Sequence, residues 1–282
     1  MGFDMATVSD GPLVEEIQMR AYTAGVETHR IIQESWDTEN RFAEGSKLWE
    51  YVNNPVDLSF GDPPYNYGVD YDGDETRDKL PAIEYQHWVH MIIYKMVACT
   101  KKGGMLFWLC PAEHGNWVWP ALEQYGWLLQ GKPIIWYEKF SQYQSKRLTS
   151  DYRLLFPLVV GLGGEPTFNP DAIREESVRQ QMGDKRADPR GRVPGHIWNV
   201  SRLQGNHPNR VDWHKAQLPQ APLERIVKGW TNEGDVVLDA FAGSGSLGVV
   251  CKRLSRWFVG VDQSAEYCRR IKDRMERTDA TN

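Results

Sequence analysis

Apolar positions along the chain fall into short unbroken runs and longer runs with helical spacing. Residues 55–60, PVDLSF, and 105–110, MLFWLC, read as short buried strands. IIWY at 134–137 and RLLFPLVV at 153–160 enclose a polar turn rich in Ser, Gln, Lys and Arg, which predicts an antiparallel hairpin. Late in the chain DVVLDAF, 235–241, and WFVGVD, 257–262, are strands with one helix between them. A long helix is expected from about Ala82 to Lys101, ending at Gly103 and Gly104, with further helices over Leu223–Trp230 and Ala265–Arg277. In residues 1–50, Leu13, Ile17, Ala21 and Ala24 share a helical face that Ile31 and Ile32 continue, predicting a helical N-terminal cap.

Between 161 and 210 the apolar periodicity fades while Gly, Pro and Arg rise. Between Asp184 and Arg210 six bases, Lys185, Arg186, Arg190, Arg192, Arg202 and Arg210, stand against two acids, Asp184 and Asp188. Because the net charge of the 282 residues is −5, any nucleic-acid surface must be local, and this segment is the candidate for it. No apolar run approaches the ~18 residues of a membrane span, and no leader pattern opens the chain, so a soluble, cytoplasmic protein is expected. Cys99, Cys110, Cys251 and Cys268 are scattered, as buried free thiols would be.

GSGSLG, 243–248, follows a strand and opens a helix, and Asp262 ends the next strand. Glycines there let backbone approach a ligand, and the acid can accept from ribose hydroxyls. A dinucleotide or S-adenosylmethionine suits this pattern equally. After Gly248 only 34 residues remain, too few for a second mononucleotide half. The rest of the sheet must lie upstream, as a permuted doubly wound fold. Ligands of such sheets sit beyond the carboxyl ends of strands where the winding reverses, so Asp62 and Phe241 are expected to be neighbours.

DPPY, 62–65, closes the first strand. Alone it reads as a turn, but beside the glycine loop it reads as chemistry. The lone pair of an exocyclic amine on a nucleobase is delocalised into the ring, and two acceptors on its N–H bonds would localise it. Asp62 offers one and the Pro63 carbonyl the other. Consecutive prolines, Pro63 and Pro64, fix the backbone and remove competing donors. Tyr65 offers a stacking face, and a paired base must be flipped out to reach it.

These residues resemble a known family. DPPY at 62–65, HKAQLP at 214–219, DAFAGSGSLG at 239–248 and VGVD at 259–262 are similar to the amino-methyltransferases of DNA in the permuted, β-class motif order. The resemblance covers roughly 50–275. It implies an α/β fold, a doubly wound, mostly parallel seven-stranded sheet with an antiparallel edge hairpin. It also implies a catalytic half over 51–160, a target-recognition insert over 161–210 and a cofactor half over 211–282. Asp62, Pro63, Pro64 and Tyr65 would form the catalytic loop. Phe241, Gly243 and Gly245 would line the methionine part of S-adenosylmethionine, Asp262 would bind its ribose, and Asp239 and Ser246 would lie near its polar end. The third motif departs from the family pattern at Leu218, leaving Gln217 as its cofactor contact. The implied partner is double-stranded DNA, with a homodimer and a cognate restriction endonuclease as further expectations. Adenine N6 is the leading target, cytosine N4 the alternative. A NAD-dependent oxidoreductase and a non-catalytic DNA-binding subunit are the more distant ones.

Other chemistry-bearing residues have plainer readings. His87 and His90 lack a third metal ligand, and no metal is expected. Acids at 70, 72 and 74 suggest calcium until Glu75 and Pro81 occupy positions where an EF-hand needs Gly and Glu. The acids of loop 67–80 have no evident role beside DNA. Trp117, Trp119 and Trp127 are expected in the core. His196, Trp198, Ser201 and His207 are candidate DNA contacts, as are Lys146 and Arg147.

Overall fold

The computed structural model describes residues 29–34, 51, 54–69, 78–138, 145–146, 148–203 and 205–278. Among these, nine strands form one sheet: β1 (Arg30–Gln33), β2 (Val56–Gly61), β3 (Thr100–Pro111), β4 (Gly126–Leu128), β5 (Ile134–Glu138), β6 (Tyr152–Val160), β7 (Ile197–Val200), β8 (Val236–Asp239) and β9 (Trp257–Asp262). The order across the sheet is β1-β9-β8-β2-β3-β6-β5-β7, and β4 also pairs with β6. All pairings are parallel except those made by β6, which runs against β3, β4 and β5. The expected seven strands are therefore nine. The β5–β6 hairpin is internal, because β7 of the insert adds itself to the edge of β5.

Each strand serves two faces. In β3, Leu106, Trp108 and Cys110 pack on one side, and Met105, Phe107 and Leu109 on the other, the two-residue period of a doubly covered sheet. The first side is covered by α1 (Ala82–Cys99), whose Tyr85, Val89, Ile92, Ile93 and Met96 follow helical spacing. The second side is covered by α4 (Gln220–Trp230) and α5 (Ser246–Arg253), with Ile271 and Met275 of α6 (Ala265–Glu276). Two further helices, α2 (Gly115–Glu123) and α3 (Val178–Gln181), complete the described set. Helix α1 stops at Cys99 rather than near Lys101. The chain enters β3 at once, with the Thr100 hydroxyl donating to the Met96 carbonyl at 2.7 Å.

Ile31 and Ile32 do not continue a helix. They lie in β1, in register with Gly260 and Val261. An apolar pair of β-branched residues suits an added strand as well as a helical face, so periodicity over so short a span could not decide. Leu13, Ile17, Ala21 and Ala24 lie outside the described residues. The four cysteines are free and buried. Trp117 and Trp119 pack against the core, whereas Trp127, on the short strand β4, is 38% exposed. Among the described residues no helix is long and apolar enough to cross a membrane.

From β2 the chain winds outward through α1 to β3; from β8 it winds the opposite way through α5 to β9. The reversal lies between β2 and β8, and there the sheet opens at its carboxyl ends.

Candidate active site

Strands β2 and β8 run side by side with Phe60 opposite Asp239, and the Ala240 N–H donates to the Phe60 carbonyl at 3.0 Å. That pairing brings the DPPY loop and the glycine loop to one cleft of about 1320 Å³, lined by Asp62, Pro63, Pro64 and Tyr65 on one wall and Phe241, Gly243, Ser246 and Asp262 on the other. Asp239 and Gln217 also line it. Five acids of the cleft stand at the carboxyl ends of strands. Asp62 follows β2, Glu138 closes β5, Asp239 closes β8, Asp262 closes β9 and Glu34 follows β1, while Arg153 arrives at the same rim because β6 is reversed.

The Tyr65 hydroxyl donates to Asp62 Oδ1 and accepts from Arg153 Nη1 at 3.1 Å. Burial raises the Asp62 carboxyl above the ordinary carboxylate range; Arg153 and the Tyr65 hydrogen bond pull it back, and Glu138 adds to the rise. Burial likewise drives the Tyr65 phenol up. Behind the loop, the Tyr85 hydroxyl donates to the Pro64 carbonyl at 2.8 Å. One acid of the loop, Asp78, has a structural role. Its buried carboxylate accepts from the N–H groups of Asn66 and Val69 at 2.6 and 2.9 Å, and the Asn66 amide pairs with both backbone groups of Leu80. Asp78 thus fastens the two ends of the loop together. The acids at 70, 72 and 74 and Arg147 lie outside the described residues.

On the opposite wall, Gly243 has φ +47°, and a Cβ built there would stand 2.7 Å from His214 Nε2. Its N–H donates to Asp262 Oδ2 at 2.9 Å, and Ser264 N–H donates to Oδ1 at 2.9 Å. His214 stacks edge-on against Tyr267, centroids 5.1 Å apart, and both line the cleft with Trp88. Asp239, fully enclosed, accepts from Phe241 N–H at 3.1 Å, and burial lifts its pKa to about 8. Gln217 is braced by Val211 N–H at 2.8 Å and reaches Ser246 Oγ at 3.4 Å. Gly245 sits behind the wall, capping α5 at φ +73° against Ile271. Glu34, Lys215, Asp239 and Asp262 all line the cleft, and the Glu34 N–H donates to the Asp262 carbonyl at 3.1 Å. A ligand carrying ribose hydroxyls and a positive centre fits there; a diphosphate would face carboxylates.

The basic segment is less free than its composition suggests. Arg186 pairs with Asp184, Arg190 with Asp188, and Arg192 with Glu175. Arg210 is exposed and donates to the Gly205 carbonyl at 3.1 Å. Lys185 is exposed. Arg202 lies in the cleft instead, donating through Nε to Glu138. Trp198 is 3% exposed under the guanidinium of Arg225, and so is no DNA contact. Residues in the cleft assigned no individual role from sequence include Glu34, Glu138, Arg153, His214 and Tyr267. Glu138 and Arg153 flank the predicted hairpin strands, and an acid and a base at strand ends on the ligand side were the signal available.

Residues 56–273 match the family described as DNA methylase, the N6/N4 methyltransferases. The chain belongs to that family. It is 32% identical over 226 residues to the type II methyltransferase M.HpaI of Haemophilus parainfluenzae, covering 79% of this chain and 69% of that one. It is 30% identical over 237 residues to the DNA adenine methyltransferase YhdJ of Escherichia coli (strain K12), covering 80% and 77%. The crystal structure of an M1.HpyAVI–SAM complex shares the fold with a TM-score of 0.57 at 18% identity, over 88% of this chain and 100% of that one. The cytosine-N4-specific PvuII DNA methyltransferase shares it at 0.56 and 14%, over 82% and 84%. The oxidoreductase alternative falls away.

Proposed function

We propose that the chain transfers the methyl group of S-adenosylmethionine to adenine N6 of a base turned out of duplex DNA at a specific short sequence. The observation that carries the reading is the Phe60–Asp239 register, which sets Asp62 and the glycine loop on facing walls of one cleft. When bound, S-adenosylmethionine supplies a methyl group activated by a sulfonium. Asp262, the backbone at Gly243, Phe241 and Gln217 would hold it, and the acidic, aromatic lining suits its charge and ribose.

Everything else falls to the chain. Asp62 accepts one N–H of the amine and the Pro63 carbonyl the other, localising the nitrogen lone pair. The raised proton affinity of Asp62 then suits it to take the proton the amine sheds. Tyr65 gives the base a face, stacking being worth about 1–3 kcal/mol, which offsets the few kcal/mol of flipping.

Adenine is favoured by the name of YhdJ at 30% identity; cytosine N4 offers the same amine, and the PvuII enzyme, whose likeness is of fold alone, is named for it. The test is digestion to nucleosides of DNA modified by the purified chain. N6-methyladenine is the expected product; N4-methylcytosine alone would overturn the adenine assignment, and no methylated base would leave the non-catalytic subunit. The type II names of the relatives extend the proposal to a cognate restriction endonuclease, whose cleavage this modification would block. A homodimer in the cytoplasm is the assembly proposed, to be measured by sedimentation.

A further inference from the structure

Glu138, the last residue of β5, has a side chain only 6% exposed, yet it faces two arginines from separate parts of the chain. Its Oε1 accepts from Arg153 Nη2 and its Oε2 from Arg202 Nε. Arg153 lies over the Trp136 ring, 5.2 Å from its centroid. Its Nη1 donates to the Tyr65 hydroxyl at 3.1 Å but stands 3.9 Å from Asp62 Oδ1. The first distance is a hydrogen bond and the second is not. A guanidinium free to move beside a carboxylate closes on it, at about 2.7–2.9 Å and often through two N–H groups. Such closure on Asp62 would consume the lone pairs that a target amine needs. In this cleft the guanidinium is held back from the other side, by Glu138.

We infer that Glu138 is a positioning residue for methyl transfer: it holds Arg153 on the Tyr65 hydroxyl and off Asp62, and draws Arg202 of the inserted segment to the same point. The inference rests on Asp62 being the acceptor of the target amine. The groups facing Asp62 are Tyr65 of its own loop, Glu138 of β5, Arg153 of β6, Cys110 of β3, Tyr85 of α1 and Asp239 of β8. Burial keeps Cys110 and Tyr85 neutral and lifts Asp239 to about 8, so Arg153 and Glu138 are the charges that tune Asp62.

The experiment measures kcat, KM for DNA, S-adenosylmethionine affinity and the pH–rate profile, with tritiated S-adenosylmethionine and genomic DNA from a strain lacking the modification. In Glu138→Gln, Arg153 swings onto Asp62. The expected result is a kcat lower by ~10- to 100-fold, the cost of a small misplacement, with cofactor affinity kept. The acid limb of the profile moves to lower pH, because the opposing charge of Glu138 is gone. In Glu138→Gln with Arg153→Gln both charges are gone. The double variant should recover part of the lost kcat, with its acid limb moved to higher pH, since Arg153 is the larger influence on Asp62. A Glu138→Gln protein with unchanged kcat and acid limb overturns the inference, as do additive losses in the double variant. Should Glu138→Gln fail to fold, the double variant, which removes both members of the Glu138–Arg153 pair together, decides alone: an unmoved acid limb overturns, a raised one supports. Asp62→Ala separates the two readings. If it keeps turnover, the assignment of Asp62 fails; if it is inactive while Glu138→Gln behaves as wild type, only the role of Glu138 fails.

Discussion

Asp62 and Gly243 stand on facing walls of one cleft, because Phe60 and Asp239, far apart along the chain, pair across β2 and β8. At this rim acids stand at the carboxyl ends of four strands: Asp62 just after β2, Glu138 on β5, Asp239 on β8 and Asp262 on β9. The reversal of β6 adds a cation, Arg153, among them. The arrangement places the acid where an amine would arrive and the glycine loop where a cofactor would lie.

Asp62→Ala should separate chemistry from cofactor binding. The carboxylate is on the DPPY wall and makes its contacts with Tyr65 and Arg153, not with the glycine loop. Loss of one preorganised polar partner of a reacting group costs about 10²–10³ in kcat. S-adenosylmethionine affinity, read by calorimetry, should stay within about twofold, as the nearest cofactor wall is untouched. A comparable loss of affinity would place Asp62 on the cofactor instead.

Asp239 makes stability fall as pH rises. Its folded-state pKa of about 8 lies above the ordinary carboxylate value of 3.8 that the unfolded chain would show. Between those values the folded protein holds a proton the unfolded chain has lost, so each step up in pH through that window favours unfolding, and above about 8 the penalty is complete. Asp239→Asn keeps an oxygen for Phe241 N–H and removes the charge. The variant should melt higher than wild type at pH 8.5 and with it at pH 4, measured by calorimetry without ligand. Equal melting temperatures at both pH values would show that Asp239 is not held protonated.

How far the sequence revealed this site depends on how each residue is held. Asp62 and Asp262 end runs of apolar residues that read as buried strands, and strand ends on one side of a parallel sheet are ligand positions by topology alone. The inserted segment was harder. Its arginines gave a charge count, but Arg186 and Arg190 bond the acids two residues before them and Arg192 bonds Glu175, across a bridge no spacing foretells. Strand β7 escaped because IWNV is short and only Trp198 and Val200 of it are buried. Glu138 escaped because an acid buried between two arginines looks, in sequence, like any polar residue ending a strand.

That internal pairing predicts how the insert meets DNA. A phosphate contact releases counterions and contributes about −0.9 to the slope of log K against log salt. Arg186 and Arg190 already have carboxylates, so replacing either by Ala should change the slope by less than half of that and DNA affinity by less than about twofold. Lys185 is exposed beside them, and Lys185→Ala should lower the slope by about one if the segment lies on the backbone. Fluorescence anisotropy across a salt series reads each slope; equal effects for all three variants would mean that the ion pairs open on DNA.

Gly243→Ala tests the cofactor wall by shape alone. At φ +47° an added Cβ is strained, at a cost of about 1–2 kcal/mol. It would also lie 2.7 Å from His214 Nε2, closer than packed atoms come, so the ring must move. His214 contacts Tyr267, and both line the cleft, so the displacement spreads along the wall rather than into solvent. S-adenosylmethionine affinity should fall by about tenfold or more, the equivalent of 1.4 kcal/mol, while DNA affinity without cofactor is kept. Adding His214→Ala removes the clash but not the backbone strain. The double variant should regain part of the affinity if the ring contributes little itself. If it is weaker than Gly243→Ala, His214 holds the cofactor directly.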